Sequence, residues 1–145
     1  MSKLKKQLST DLTEARKARD KARTLCLSTT LSEVRNREID SGAEATDEDV
    51  LDVITKAIKQ RRDSAEQMRS GGREELAAKE ESEAELLQRY LPEQYSPDDV
   101  REIIREIIDG GSPHMGAVMG QLMPRIRGRF DGKQANALVR EVMGG

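Results

Sequence analysis

The chain has 145 residues, with 25 basic and 27 acidic side chains for a formal net charge of −2, and only 29 residues of Leu, Ile, Val or Phe. That length admits one compact domain or two small helical ones, and so balanced a charge is not the signature of a disordered chain. A single Cys (Cys26), a single His (His114), no Trp and only Tyr90, Tyr95 and Phe130 as aromatics exclude an internal disulfide, a cysteine-based metal cluster, a paired-histidine metal site and a large β-sandwich core.

Ala, Leu, Glu, Lys and Arg, all strong helix formers, dominate the remainder, so the expected fold class is all-α. The 3.6-residue period picks out seven helices. The first is predicted from about Ser2 to Arg23, with Leu4, Leu8, Leu12 and Ala15 along one stripe. The second runs from about Thr24 to Asp40, with Leu27, Leu31 and Val34 on one side, and Ser41-Gly42 breaks it. Whether these two are continuous or kinked near Arg23 stays open at this level. The third starts at the capping box Thr46-Asp47-Glu48-Asp49 and keeps Val50, Val53, Ile54, Ala57, Ile58, Arg61, Ala65 and Met68 on one face as far as Gly71-Gly72. The fourth, Arg73 to Leu91, returns antiparallel through that glycine turn and ends at Pro92.

The Pro-bracketed stretch Pro92-Glu93-Gln94-Tyr95-Ser96-Pro97 marks the expected boundary between a helical domain of residues 1–92 and a three-helix domain of residues 97–145. Beyond it Ser96 caps a fifth helix with Pro97 in its first position. Val100, Ile103, Ile104, Ile107 and Ile108 line its inner face, and Gly110-Gly111 ends it. The sixth is predicted from His114 to Met123, with Met115, Val118, Met119 and Leu122 inside and Pro124 closing it or opening a turn. Asp131 and Gln134 form a capping box for the seventh, which places Ala135, Leu138, Val139 and Val142 inside. The expected architecture is thus a multihelical one, a four-helix N-terminal bundle followed by a smaller three-helix C-terminal bundle. The N-terminus, MSKLKKQLSTDL, lacks the apolar core of a signal peptide, and nowhere do 18 apolar residues run together, which leads to the expectation of a soluble cytoplasmic protein.

Charge is distributed unevenly. Residues 1–23 hold eight basic and three acidic side chains, residues 41–91 eight basic and thirteen acidic, and residues 110–145 five basic and two acidic. The densest feature is Pro124-Arg125-Ile126-Arg127-Gly128-Arg129-Phe130-Asp131-Gly132-Lys133. Arginine offers a planar fork for phosphate, glycine allows close backbone approach, and a helix start supplies free N–H groups, although Asp131 as N-cap competes for them. Two readings stand for Arg125, Arg127, Arg129 and Lys133. One is contact with an RNA backbone; the other is a solvated loop pairing with the acidic face of the fifth helix (Asp98, Asp99, Glu102, Glu106). Gly128 to Lys133 is not a P-loop, because the spacing is one residue short, no Ser or Thr follows Lys133 and no strand precedes it.

Gly116 and Gly120, four apart, are expected to let the sixth helix pack closely on a neighbour. The basic side chains of the first helix read as a solvated face, Arg61 as a stem shared with an apolar face, Cys26 as core, and His114 as a helix-start residue. No nucleophile accompanies a base, so no catalytic residue, cofactor or metal site is expected.

Three stretches of the chain resemble the GatB/YqeY family, and within it the small stand-alone YqeY-like members. The first is Arg35-Asn36-Arg37-Glu38-Ile39-Asp40. The second runs from Lys59-Gln60-Arg61-Arg62-Asp63-Ser64 through the Gly-Gly-Arg turn to Leu76-Ala77-Ala78-Lys79-Glu80-Glu81 and Tyr90-Leu91-Pro92. The third is Met115-Gly116-Ala117-Val118-Met119-Gly120, continued by Met123-Pro124 and by Gly128-Arg129-Phe130-Asp131-Gly132-Lys133. Phe130 departs from the family pattern, which commonly has a small residue there. The resemblance implies two helical bundles and a tRNA-binding accessory role like that of the tail domain of GatB, an amidotransferase subunit. Gly116, Gly120, Gly128, Asp131 and Gly132 are then motif positions. It also carries an association with carbon–nitrogen ligases that use glutamine as amido donor, whose catalytic domain this chain lacks. The expected partner is tRNA. The alternative is a protein-interaction module in which the acidic hairpin of helices three and four docks on an aminoacyl-tRNA synthetase or amidotransferase subunit.

Overall fold

The computed structural model describes residues 2–112 and 114–144; Met1 and Gly145, at the outer ends of the two expected domains, and Pro113, before the sixth helix, lie outside the described residues. Among the described residues there are seven α-helices and no strand. The chain divides into two compact units, Met1–Leu91 and Pro92–Gly145.

The first unit holds α1 (Lys3–Lys17), α2 (Lys21–Ser41), α3 (Asp47–Ser70) and α4 (Glu74–Gln88). Its core is aliphatic: Leu8 and Leu12 of α1, Leu27, Leu31 and Val34 of α2, Val50, Ile54 and Ile58 of α3, and Ala84 and Leu87 of α4. The first predicted helix is corrected here, because it stops at Lys17 rather than Arg23. Its end is a Schellman motif: Arg19 N donates to Arg16 O at 3.1 Å and Asp20 N to Ala15 O at 3.0 Å. Arg19 takes the left-handed conformation, φ +56°, that glycine usually supplies. Asp20 then caps α2, its carboxylate accepting from Arg23 N at 3.1 Å. The same motif, with glycine in the left-handed place, ends α3 at Gly72 (φ +78°). The fourth helix ends earlier than Leu91: Tyr90 and Leu91 donate to Leu87 O and Gln88 O in three-residue turns, since a residue preceding proline is disfavoured in helical geometry.

Polar side chains tie the four helices at their ends. Asp47 at the start of α3 accepts from the Ser2 hydroxyl and, at 3.1 Å, from Leu4 N, so one carboxylate serves the exposed N–H groups of α1. Glu38 accepts from Lys5 Nζ at 2.8 Å and from Ala45 N at 2.9 Å. Tyr90 donates its hydroxyl to Asp11. Arg61, its side chain only 14% exposed, pairs with Glu83 at 3.2 Å, while Cys26 is 1% exposed and burial pushes its thiol up.

The second unit holds α5 (Pro97–Asp109), α6 (Met115–Ile126) and α7 (Gly132–Val142). Ser96 and Asp99 close a capping box on α5, and Gly111 (φ +103°) ends it. Val100, Ile103, Ile104 and Ile107 of α5 meet Val118, Leu122 and Ile126 of α6 and Ala135 and Val139 of α7. The expected sixth helix is corrected at its C-terminal end. It continues past Pro124 to Ile126, which stands four residues after Leu122 and is wholly buried. Burying an isoleucine is worth about 1.5–3 kcal/mol, enough to offset much of the lost hydrogen bond of a proline in the last turn. Arg101 links α5 to α7, its Nε lying 2.7 Å from Glu141, and its Nη1 lies 2.8 Å from Asp98.

Two outcomes follow from these contacts. The folded chain holds the Glu38 carboxyl below its ordinary range, first through the Lys5 ammonium and then through Ala45 N–H, and holds Asp47 low through the Ser2 hydroxyl and Leu4 N–H. A carboxylate whose pKa is depressed on folding stabilises above its unfolded value and loses that contribution as pH falls through its folded value. Melting followed by circular dichroism is expected to drop below about pH 4, and Glu38→Gln to melt lower at pH 7 and to show a shallower acid drop. Arg19→Gly relieves a left-handed arginine and is expected to raise stability by about 0.5–1 kcal/mol in urea unfolding.

Candidate nucleic-acid interface

The basic segment predicted as one loop is three structural pieces. Arg125 lies in the last turn of α6, Arg127 follows at its C-cap, and Arg129 comes after a reversal. That reversal is a type II turn: Arg127 has φ −57° and ψ 123°, Gly128 has φ +74°, and Arg129 N donates to Ile126 O at 2.8 Å. Phe130 N donates to the same carbonyl at 3.0 Å. The third position of a type II turn needs positive φ, so glycine at 128 has a backbone reason. Lys133 is exposed in the first turn of α7, where it adds its charge to the positive end of the helix dipole.

The four cations have different surroundings. Arg125 Nη2 lies 3.3 Å from Glu106, the two side chains being 48% and 61% exposed. This is the pairing with the fifth helix set out above as one of the two readings, and an exposed pair of this kind contributes only about 0–1 kcal/mol. Arg127 is exposed. Arg129 meets an aromatic ring: its Cζ is 5.3 Å from the Tyr95 centroid and its Nη1 donates to Tyr95 Oη at 3.1 Å. The stretch carrying Tyr95 also holds the turn by its backbone, with Tyr95 N donating to Arg129 O at 2.8 Å and Gln94 Nε2 to Gly128 O at 2.6 Å. Gln94 and Tyr95 were legible only as part of a proline-bracketed break, because no spacing in the sequence couples them to residues 34 positions later.

The motif glycines divide. A Cβ at Gly132 would stand 2.9 Å from Met123 Cε, the tip of a flexible, exposed side chain that can move aside. Gly116 and Gly120 do not serve the close helix packing expected of them. Both face outward; a Cβ at Gly120 meets nothing within 4 Å, and one at Gly116 meets only the His114 ring at 3.5 Å. Asp131 caps α7 by accepting from Lys133 N at 3.4 Å, without the reciprocal Gln134 contact of a capping box. His114 caps α6, Nδ1 accepting from Ala117 N at 3.2 Å, as a helix-start residue should.

The sequence model of the family described as Yqey-like protein matches residues 5–143. The chain is 28% identical over 144 residues to a protein of Pyrenophora tritici-repentis named "Altered inheritance of mitochondria protein 41, mitochondrial", covering 95% of this chain and 80% of that one. The protein of the same name in Saccharomyces cerevisiae is 28% identical over 129 residues, 87% of this chain and 69% of its own. An uncharacterized protein of Schizosaccharomyces pombe is 40% identical over 85 residues, 59% of this chain and 69% of its own. These names overturn the cytoplasmic location expected from the sequence, since the named relatives are mitochondrial proteins. The lack of a long apolar run speaks to membrane-spanning helices, of which there are none among the described residues, and not to a compartment.

Because Gly128 occupies a left-handed position, Gly128→Ala is expected to lower the stability of the chain by about 1 kcal/mol in urea unfolding. Glu106→Gln, which removes only an exposed pair, is expected to shift it by less than about 0.5 kcal/mol in the same measurement.

Proposed function

The chain belongs to the YqeY-like family, and on that footing we propose that it is an accessory module that holds tRNA by its phosphate backbone, through Arg125, Arg127, Arg129 and Lys133. One observation carries the reading: four cations fall between Arg125 and Lys133, from the last turn of α6 through the braced reversal at Gly128 to the first turn of α7. The carboxylate beside Arg125, Glu106, is itself 61% exposed, and the partner of Arg129 is a neutral phenol. A phosphate oxygen displaces an exposed carboxylate at little cost, since the pair it replaces is worth only about 0–1 kcal/mol. With one half-buried tyrosine beside Arg129 and no array of rings among the described residues, recognition rests on shape and phosphate rather than on a run of stacked bases.

Catalysis is no part of this role. The resemblance to the GatB tail directs attention to amidotransferases and aminoacyl-tRNA synthetases as the machinery such a module assists. The acidic hairpin of α3 and α4 offers the competing role of docking on one of those proteins directly. Capture of partners before and after nuclease treatment separates the two: an RNA module loses its partners, a docking module keeps them.

Titration with unfractionated tRNA is the direct test. Neutralisation of three phosphates gives a log–log salt slope of about −2 to −3 and a fall of about 20- to 40-fold in affinity between 50 and 200 mM salt. Arg125→Ala combined with Lys133→Ala is expected to flatten that slope by about 1.5–2. Binding that ignores salt, or no binding, overturns the proposal.

A further inference from the structure

Within this site we infer that Tyr95 presents the Nε–Nη2 edge of Arg129 to a phosphodiester of the bound RNA; the inference rests on the RNA-binding reading above. A guanidinium carries five N–H donors in one plane, and its Nε–Nη2 edge matches two phosphate oxygens. In Arg129 the Nη1 corner is spent on Tyr95 Oη at 3.1 Å, with Cζ 5.3 Å from the ring centroid. The other edge has no hydrogen-bond partner among the described residues. Tyr95 therefore takes up one corner of the guanidinium and leaves the Nε–Nη2 edge unspent and its charge uncompensated, which a carboxylate in the same place would not do.

The tyrosine is itself held. Its N–H donates to Arg129 O at 2.8 Å, and Gln94 Nε2 donates to Gly128 O at 2.6 Å and to Pro92 O at 2.9 Å. Backbone and side chain of residue 95 thus grip backbone and side chain of residue 129, so the arginine is ordered before any ligand arrives. Ordering a long side chain at the moment of binding costs about 2- to 10-fold in affinity, enough that an arginine without this grip leaves its phosphate contact unmade.

The test is anisotropy titration of labelled unfractionated tRNA with the full chain at 50, 100 and 200 mM NaCl. It compares the parent, Tyr95→Phe, Tyr95→Leu, Arg129→Ala and the double variant Tyr95→Leu/Arg129→Ala, with thermal melts of each. Tyr95→Leu is expected to weaken binding about 5- to 10-fold at 50 mM and to lower the salt slope by about 0.7–0.9, the signature of one lost phosphate contact. Tyr95→Phe keeps the ring and the fold and is expected to lose about 2- to 3-fold. The double variant is expected to bind no more weakly than Arg129→Ala. A merely structural tyrosine weakens binding without changing the slope, and that result overturns the inference. So does Tyr95→Phe at parental affinity, or single-variant losses that multiply in the double. If the parent itself shows no salt-dependent binding, the RNA reading falls and the role of Tyr95 with it. Salt-dependent parental binding with unaltered Tyr95 variants removes the tyrosine alone.

Discussion

Ile126 is the point on which the second unit turns. Its side chain is wholly buried between α5 and α7, and its carbonyl accepts from both Arg129 N and Phe130 N. One residue thereby couples the apolar core to the backbone path of the basic turn. The burial draws α6 through Pro124, and the two hydrogen bonds reverse the chain within three residues. Arg125 and Arg129 owe their positions on either side of the turn to that anchor. Charge alone would have left an arginine-rich strand solvated and mobile, since exposed ion pairs contribute too little to order it.

The same economy appears in the first unit, where polar side chains settle helix ends rather than forming a site. Asp47 satisfies the start of α1 from the start of α3, and Glu38 fastens the loop after α2 while holding Lys5. Two basic residues are neutralised in this way. Lys5 is engaged by Glu38 and Arg61 by Glu83, each with side-chain exposure under one fifth. Arg125 and Arg129 differ in that the first meets an exposed carboxylate and the second an uncharged phenol. Local charge count therefore says less about polyanion binding than the fate of each charge.

Helices were legible wherever amphipathic period and end signals agreed. The capping box at Thr46, the N-cap at Ser96, the glycines that end α3 and α5, and the inner faces of α3 and α5 all follow from sequence spacing, because helix registers and caps are local properties. Where the end signal was missing the boundary moved. Arg19 carries no glycine warning, yet it takes the left-handed place at the end of α1, since Asp20 beyond it caps the next helix. Pro124 carried a warning that tertiary burial overrode.

The sequence by itself determined seven helices, the inward faces of α3 and α5 and the residues in which basic charge concentrates, because all three depend on neighbours within a few positions. Only the tertiary structure decided what each cation meets: Glu106 for Arg125 and the Tyr95 ring for Arg129, contacts across 19 and 34 positions. It also turned Gly116 and Gly120 outward. Such pairings are set by how helices dock, and docking depends on the shape of a shared core that no local spacing encodes.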